Sequence, residues 1–131
     1  MNVKIRDNIK AQKFCNIFQH IKLFTDCINI TFDKNQMYVQ AMDSSHIVIF
    51  EIYLPSSWFC EYSFLSNQES IILGINAGIL YKILNTRDKL QTTSICYSVE
   101  ETDRLRIHFS HENPTIFDKH FEIPLMDIES E

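Results

Sequence analysis

Glycine and proline are scarce in this chain. Its 131 residues include two glycines and three prolines, so few positions suit the tight turns that need a positive φ. We therefore expect asparagine and aspartate, which tolerate left-handed backbone conformations, at most of the turns. The length suits one domain that buries its own core without a metal or disulfides.

The sequence also lacks the cysteine patterns of metal sites and disulfide frameworks. Cys15, Cys27, Cys60 and Cys96 are far apart and include no Cys-x-x-Cys pair. We expect four reduced thiols in the core, with no metal and no cofactor. The N-terminus lacks the apolar segment of a signal peptide, and no apolar run has the length of a membrane span. The sequence thus predicts an intracellular protein.

The chain has fewer positive than negative residues. It contains 12 lysines and arginines and 17 aspartates and glutamates, which gives a net charge of -5. A protein that grips nucleic acid with most of its surface needs clustered cations to neutralise phosphates. The composition disfavours that class. It remains compatible with a protein that gathers a few cations on one surface and keeps its other faces acidic.

Two segments have the three- and four-residue spacing of an amphipathic helix. The first covers about residues 10–24, and its polar side carries no acid. Its apolar stripe consists of Phe14, Ile17, Phe18, Ile21 and Phe24. The second covers residues 77–85, with Asn76 as a candidate N-cap. Its stripe consists of Ile79, Leu80, Ile83 and Leu84.

The remaining apolar segments have the alternation of β-strands. The predicted strands are residues 3–6, 28–32, 37–42, 46–54, 59–64, 70–75, 92–99, 105–110 and 117–123. Residues 100–103 are interpreted as a turn and residues 128–131 as an acidic tail. The order strand, helix and three strands then occurs twice. We predict an α+β fold, a duplicated β-α-β-β-β unit with two helices side by side on antiparallel sheets.

No constellation of catalytic residues stands out. The histidines are His20, His46, His108, His111 and His120, on different predicted elements. On an extended strand neighbouring side chains point to opposite faces, so Ser45 and His46 cannot share a proton there. A small hydrolase that uses this pair is the enzyme alternative. A metal site at the three C-terminal histidines is a second alternative, and surface histidines are the preferred interpretation.

Other polar clusters have ordinary explanations. Glu100, Glu101 and Asp103 are expected to form a solvated acidic loop rather than an acid and base pair. Gly74 and Gly78 cannot form a glycine-rich phosphate cradle. Trp58 is either a partner contact or a loop residue folded back onto the core. We predict that the protein is not an enzyme.

Four segments resemble the proliferating cell nuclear antigen family of DNA sliding clamps. Met42-Asp43-Ser44-Ser45-His46 resembles a strand and turn of that family, with Gln40 before it and Ile47 and Ile49 after it. Leu73-Gly74-Ile75-Asn76, followed by Lys82-Ile83-Leu84, is similar to its second helix and the preceding strand. Leu125-Met126-Asp127-Ile128 resembles the start of its interdomain connector. The resemblance implies an N-terminal clamp domain over residues 1–125 and a connector that starts at residues 126–131.

The resemblance implies a polymerase processivity factor whose head-to-tail subunits close a ring around duplex DNA, with helices lining the hole. A lining that slides must attract phosphates weakly and read no bases. The residues expected to face DNA are Lys13, Lys22, Lys82, Arg87 and His20. The sequence departs from the family at Cys15, Asn16 and Asn85, where lysines are expected. We therefore expect weak, sequence-independent contact with DNA.

The family also docks short peptides from DNA polymerases and other clients, and a clamp loader places it on DNA. The residues implied for the peptide pocket are Met42, His46, Ile47, Ile49, Met126 and Ile128. Residues 117–123 resemble the edge strand at the subunit interface, which implicates Phe117, Phe121 and Ile123. We expect a homotrimer for a full-length subunit, and a monomer or non-native dimer for this chain alone.

The resemblance places the protein in the nucleus, or at a cytoplasmic replication site if it is viral. One alternative keeps the clamp fold without the ring. In that case the chain is an adaptor or a late-transcription co-activator that retains only the peptide pocket.

Overall fold

The computed structural model describes residues 1–43, 45, 49–65, 67–113 and 115–126, and also excludes the side chain of Ile49. The helices within these ranges are α1 (Asn8–Ile21) and α2 (Ala77–Leu84), and Ser56–Trp58 forms a short 3-10 turn. The strands are β1 (Asn2–Ile5), β2 (Cys27–Asp33), β3 (Gln36–Met42), β4 (Ile49–Pro55), β5 (Glu61–Ser63), β6 (Ser70–Asn76), β7 (Thr92–Ser98), β8 (Glu101–Ser110) and β9 (Lys119–Pro124). No helix in the described ranges has both the length and the apolar character to cross a membrane.

The strands form two antiparallel sheets. Within the described residues, the first sheet has the order β5-β1-β7-β8-β9 and the second has the order β4-β3-β2-β6. The two repeats of the chain, β1-α1-β2-β3-β4 and β6-α2-β7-β8-β9, exchange their first strands, because β1 pairs with β7 and β6 pairs with β2. The α+β prediction is confirmed. The exchange joins the repeats into one domain, since each sheet contains strands of both.

Helix α1 begins earlier and ends earlier than its periodicity predicts. The carboxylate of Asp7 accepts a hydrogen bond from the backbone N–H of Lys10 at 2.9 Å and caps the helix, which ends at Ile21 with Lys22 as C-cap. Phe24 therefore lies beyond the helix, is 46% exposed, and stacks on Phe50 at a centroid distance of 4.8 Å. The prediction that Phe24 belongs to the buried stripe is wrong.

Helix α2 has the predicted cap but a different buried face. The side chain of Asn76 accepts a hydrogen bond from the backbone N–H of Ile79 at 3.0 Å, as its role as N-cap requires. The side chain of Ile79 itself is 44% exposed, so its assignment to the buried stripe is wrong. The buried positions of α2 are Ala77, Leu80 and Leu84, which share one face.

One core cluster joins the helices to both sheets. Strands β2 and β3 bury every second residue, as their alternation predicts. Phe14 and Phe18 of α1 meet edge to face at a centroid distance of 5.2 Å. The largest buried side chains include Phe14, Phe18, Phe32, Phe109, Ile75 and Leu80. Packing between helices and sheets therefore holds the exchanged repeats together.

The cysteines are less uniformly buried than expected. Cys15 is buried, Cys27 and Cys96 are partly buried, and Cys60 is exposed. All four are free thiols. Burial raises the pKa of the Cys15 and Cys96 thiols. Cys60 follows the 3-10 turn outside the helix and sheet interior, so its assignment to the core is wrong.

The predicted turn at residues 100–103 is shorter than expected. Strand β8 begins at Glu101, which pairs with Ser98 after a register shift in β7. The Glu101 carboxylate forms an ion pair with Arg106 on the same strand. The prediction of an acidic loop is therefore wrong for Glu101 and Asp103, which lie in a strand.

Strand β9 begins later than expected, at Lys119. The side-chain amide of Gln91 donates a hydrogen bond to the carbonyl oxygen of Phe117 at 2.7 Å. This bond holds Phe117 outside the sheet, and its side chain is 83% exposed. The prediction that Phe117 lies in the edge strand is wrong.

Tyr62 of β5 links the two sheets. Its hydroxyl lies within hydrogen-bonding distance of the carbonyl oxygens of Asp33 and Gln36 in the β2–β3 hairpin, 2.7 Å from the latter, and shares its one proton between them. Burial, helped by the nearby charge of Asp33, raises the pKa of Tyr62 from 10.0 to about 12. Since the neutral form is favoured in the folded state, its contribution to stability is complete below pH 10. It is lost as the pH rises through 12.

We expect Tyr62→Phe to lower the free energy of unfolding by about 1–2 kcal/mol at pH 7, because the hairpin carbonyls lose a partly buried donor. Urea denaturation measures this change. The difference between the original chain and the variant should shrink between pH 10 and 12. Tyr97→Phe is the matched control, since the Tyr97 hydroxyl makes one exposed contact of 3.4 Å to Thr102. An equal loss in both variants would contradict the assigned role of Tyr62.

Candidate nucleic-acid and partner interfaces

The two helices form a layer with positive charge and no negative charge. Neither Asn8–Ile21 nor Ala77–Leu84 contains an aspartate or glutamate, although the chain has 17 acids in all. Helix α1 contributes Lys10, Lys13 and His20, and α2 contributes Lys82. A phosphate backbone would therefore meet less repulsion at this layer than at other faces of the chain.

The predicted DNA-facing residues differ in their availability. Lys13 and Lys82 are exposed, and their ammonium groups have no ion-pair or hydrogen-bond partner among the described residues. Lys22 is also exposed, but its ammonium lies 4.6 Å from the ring centroid of Tyr81, a cation–π contact between the end of α1 and α2. The Nδ1 atom of His20 lies 2.8 Å from the carbonyl oxygen of Asn16, one turn earlier. Its ring is exposed on the same helix.

Arg87 has a different environment from these lysines. Its Nη1 atom lies 2.9 Å from the carbonyl oxygen of Asp88, 3.1 Å from that of Lys89 and 3.0 Å from that of Gln91. Its Nη2 atom donates to the side-chain oxygen of Asn8 at 2.6 Å. The guanidinium thus fastens the segment after α2 to the start of α1. These bonds occupy the group that was expected to face DNA.

Two of the predicted pocket residues, Met42 and Met126, lie at the same end of the second sheet. Met42 ends β3 opposite Ile49 of β4. The backbone N–H of Met126 donates to the carbonyl oxygen of Gly74 at 2.8 Å. The Met126 sulfur lies 3.9 Å from the Cys27 sulfur at the start of β2. The start of the predicted connector is thus attached to the edge of β6.

His46, Ile47 and Ile128 lie outside the described residues, as does the side chain of Ile49. Met126 is 43% exposed and Met42 is partly buried. Both are therefore accessible to a partner at this end of the sheet.

Strand β9 is an edge of the first sheet, since among the described strands it pairs only with β8. The ring of Phe121 is partly buried against Phe109, with centroids 6.1 Å apart. The side chain of Ile123 is 1% exposed and belongs to the core. Ile123 could therefore contribute only its backbone to a subunit contact, whereas Phe117 presents its whole ring.

The groups considered for catalysis or metal binding remain dispersed. The rings of His108 and His120 have centroids 5.8 Å apart on neighbouring strands. Within the part of the chain that the structure describes, no three histidine, cysteine, aspartate or glutamate side chains could hold a metal ion together. The hydroxyl of Ser45 donates to the carboxylate of Asp43 at 2.7 Å. Its predicted partner His46 lies outside the described residues.

Trp58 folds back onto the core. Its ring lies 6.1 Å from that of Phe14 and 5.2 Å from that of Phe59, as measured between centroids. The ammonium of Lys10 donates to the carbonyl oxygen of Trp58 at 2.9 Å. Of the two alternatives for Trp58, the structure favours core packing. The hydrogen bond to the Trp58 carbonyl engages the ammonium of Lys10, which is therefore a weaker candidate for DNA contact than Lys13.

The sequence interpretation missed a tyrosine pair on the second sheet. Tyr38 of β3 stands opposite Tyr53 of β4, with ring centroids 4.8 Å apart. The hydroxyl of Tyr53 donates to the Glu51 carboxylate at 3.1 Å. Strand alternation could have placed these side chains on the outer face, because Met37, Val39 and Leu54 beside them are buried.

Comparisons with known proteins agree with this architecture. Residues 8–131 match the family described as proliferating cell nuclear antigen, N-terminal domain. Over 122 residues the chain is 30% identical to DNA polymerase sliding clamp 2 of Saccharolobus solfataricus, covering 93% of the chain and 46% of that protein. It is 28% identical to the proliferating cell nuclear antigen of Dictyostelium discoideum over 124 residues, covering 94% and 46% respectively. The chain therefore spans about half the length of these relatives.

Solved structures share the fold. A complex of PCNA2 and PCNA3 from Sulfolobus tokodaii superposes with a TM-score of 0.84 at 20% identity, covering 100% of this chain and 48% of that chain. PCNA from Thermococcus kodakaraensis gives a TM-score of 0.84 at 18% identity, covering 99% and 48%. Together with the family match over residues 8–131, the exchanged repeats identify the chain as a member of the proliferating cell nuclear antigen family of sliding clamps, to whose N-terminal domain it corresponds.

Proposed function

We propose that this chain forms the N-terminal half of a sliding-clamp subunit. With a second half and further subunits it closes a ring around duplex DNA and tethers polymerases and other clients, without catalysis of its own. The observation that carries the proposal is the helix layer, which presents lysines and contains no acid in a chain of net charge -5. Such a layer attracts phosphates despite the net negative charge of the chain.

The DNA contact is weak and independent of sequence. The attraction comes from Lys13, Lys22, Lys82 and His20. Arg87 does not face the phosphates and instead connects the loop after α2 to the start of α1. Few cations release few counterions, so affinity stays low and the ring can slide.

Client peptides dock at the connector end of the second sheet. We place the domain boundary at residues 125–126, where the backbone of Met126 is fixed to Gly74. Met42 and Met126 form part of an apolar pocket with His46, Ile47, Ile49 and Ile128. Burial of apolar side chains there supplies affinity and polar groups at the rim set the register of the peptide.

Neighbouring subunits meet along β9. Its backbone edge, which has no strand partner among the described residues, accepts a strand from the next subunit, and Phe117 and Phe121 add apolar contact beside it. The longer subunit forms a homotrimer that a clamp loader opens, whereas this chain alone is a monomer or a non-native dimer. The site of action is the nucleus, or a cytoplasmic replication site for a viral protein.

We expect the double substitution Lys13→Glu and Lys82→Glu to weaken DNA association of the assembled ring. Loss of two phosphate contacts lowers the slope of log affinity against log salt by about 2. Fluorescence anisotropy of a labelled duplex across a salt series measures this slope. The matched control is Lys34→Glu, a charge reversal at an exposed turn outside the helices. An unchanged slope in the double variant would refute the proposed orientation of the helix layer.

The alternative, an adaptor or late-transcription co-activator, keeps the peptide pocket but needs no ring. The native mass of a full-length subunit, which contains this chain and the second half, separates the two functions. A trimer supports the clamp. A lasting monomer that still binds client peptides supports the adaptor.

A further inference from the structure

The second sheet differs sharply in charge from the first. None of its four described strands contains a lysine or arginine, and none occurs anywhere from residue 35 to residue 81. Asp33 and Glu51 lie in these strands, and Glu69 directly precedes β6. The first sheet, in contrast, includes Lys4, Arg104, Arg106 and Lys119. The outer face of the second sheet is therefore negative.

A pair of tyrosines stands on this negative face. The rings of Tyr38 and Tyr53 are 4.8 Å apart between centroids and inclined by 36°. Tyr53 is 55% exposed. Its hydroxyl donates to Glu51, and that hydrogen bond is the main reason why the pKa of Tyr53 is raised. The rings thus form an open aromatic surface next to a carboxylate that accepts a hydrogen bond from one of them.

A shallow pocket of about 400 Å³ continues from this pair toward the β2–β3 hairpin. Its lining includes both tyrosines together with Asp33, Gln36, Glu69 and Ser70. The Asp33 carboxylate accepts hydrogen bonds from the backbone N–H groups of Asn35 at 2.7 Å and Gln36 at 2.9 Å, which fix its position. The pocket lies far along the sheet from Met42, at the end where Gln36 pairs with Pro55.

The carboxylates of this region differ from those of the first sheet in their ion-pair partners. Among the residues that the structure describes, no lysine, arginine or histidine forms an ion pair with Asp33, Glu51 or Glu69. The nearby Lys34 is exposed in the turn. The acids of the first sheet are different, because Glu61, Glu101 and Glu122 all pair with cations.

We propose that this surface binds arginine side chains of a basic segment in a partner protein. One guanidinium stacks on the tyrosine rings and donates to the Glu51 carboxylate, and a second arginine of the same segment enters the pocket and donates to Asp33. The negative charge of the sheet selects a cationic partner, and the flat aromatic pair favours the planar guanidinium over a lysine ammonium. The surface acts independently of the connector pocket and of ring closure.

The test is a titration of the ¹⁵N-labelled chain with a capped peptide of alternating arginine and glycine, followed by NMR. We expect chemical-shift changes centred on Tyr38, Tyr53 and Asp33. A peptide in which lysine replaces arginine should bind more weakly, and one in which glutamate replaces arginine should cause no shifts. Changes spread over the first sheet would overturn the proposal. So would a Tyr53-dependent association of the chain with itself that the arginine peptide does not reverse.

Variants test the two halves of the chemistry separately. Tyr53→Leu should weaken binding about two- to fivefold through loss of the cation–π contact. Glu51→Gln, which keeps the size of the side chain, should weaken binding and reduce its salt dependence. The matched control is Glu112→Gln, an exposed acid beyond the end of β8. Circular dichroism checks that Tyr53→Leu stays folded. Equal weakening by Glu112→Gln and Glu51→Gln would overturn the assignment and indicate non-specific attraction.

Discussion

Phe109→Ala is expected to lower the free energy of unfolding by about 3–5 kcal/mol, the usual range for truncation of a buried phenylalanine. Phe109 lies in β8, is 0% exposed, and packs edge to face against Phe121. It belongs to the core cluster shared by the sheets and helices. Its removal leaves a cavity that the surrounding strands cannot close without breaking their pairing. Urea denaturation followed by circular dichroism measures the loss.

Phe117→Ala is the matched control for this experiment. It deletes the same atoms from a side chain that is 83% exposed, and we expect a change within about 0.5 kcal/mol. Similar losses in the two variants would show that the core does not extend to β8 as described. The control has a second use, since a variant of normal stability with impaired subunit association would support Phe117 as an interface residue.

Periodicity in the sequence predicted most of the core. In β2 and β3 the alternation of apolar and polar residues directly gives the buried side, because a strand packed on one face has a period of two. The helix ends were less predictable. Phe24 keeps the helical spacing of the stripe, yet the helix ends at Ile21 and the Phe24 ring packs against Phe50. That contact joins residues distant in sequence, which periodicity cannot show.

The order of elements predicted the duplication but not the exchange of strands. Pairing of β1 with β7, and of β6 with β2, depends on hydrogen bonds between remote segments. No local pattern specifies such partners, because strand propensity reports fit to a half-buried surface and not to a particular neighbour. The strand partners were therefore not predicted from the sequence, and the comparison with solved structures confirmed the fold class.

The candidate sites were predicted unevenly for similar reasons. Lys13 and Lys82 could be placed on polar helix faces from spacing alone. The hydrogen bonds of Arg87 could not be predicted, because its partners lie in the following loop and at the start of α1. The tyrosine pair requires the register between β3 and β4, although the absence of lysine and arginine from residues 35–81 was visible in the sequence.

The charges of the chain are divided among faces in a way that its net charge conceals. The helix layer is positive, the second sheet is negative, and on the first sheet both signs are paired through Arg104, Arg106 and Glu122. A net-acidic protein can therefore offer one surface to phosphates and another to basic partners at the same time. The two proposed interactions do not compete, because they use different layers of the fold.

Arg87→Ala is expected to lower the free energy of unfolding by about 2 kcal/mol, because three loop carbonyl groups and the Asn8 side chain lose a charged donor. The guanidinium reaches three carbonyl oxygens in the loop after α2 and the side chain of Asn8. Arg87→Lys should recover little of the loss, since one ammonium cannot span the loop and Asn8 together. Thermal unfolding at fixed pH measures both variants.

Lys82→Ala is the control for Arg87→Ala, because Lys82 is an exposed cation on the preceding helix without a partner among the described residues. We expect it to change stability by less than about 0.5 kcal/mol but to reduce DNA association of the ring. Arg87→Ala should show the opposite pattern, with lost stability and an unchanged salt slope in the fraction that stays folded. If Arg87→Ala instead lowers the salt slope at full stability, its guanidinium leaves the loop to meet phosphates, and the original assignment of Arg87 to the DNA-facing set is restored.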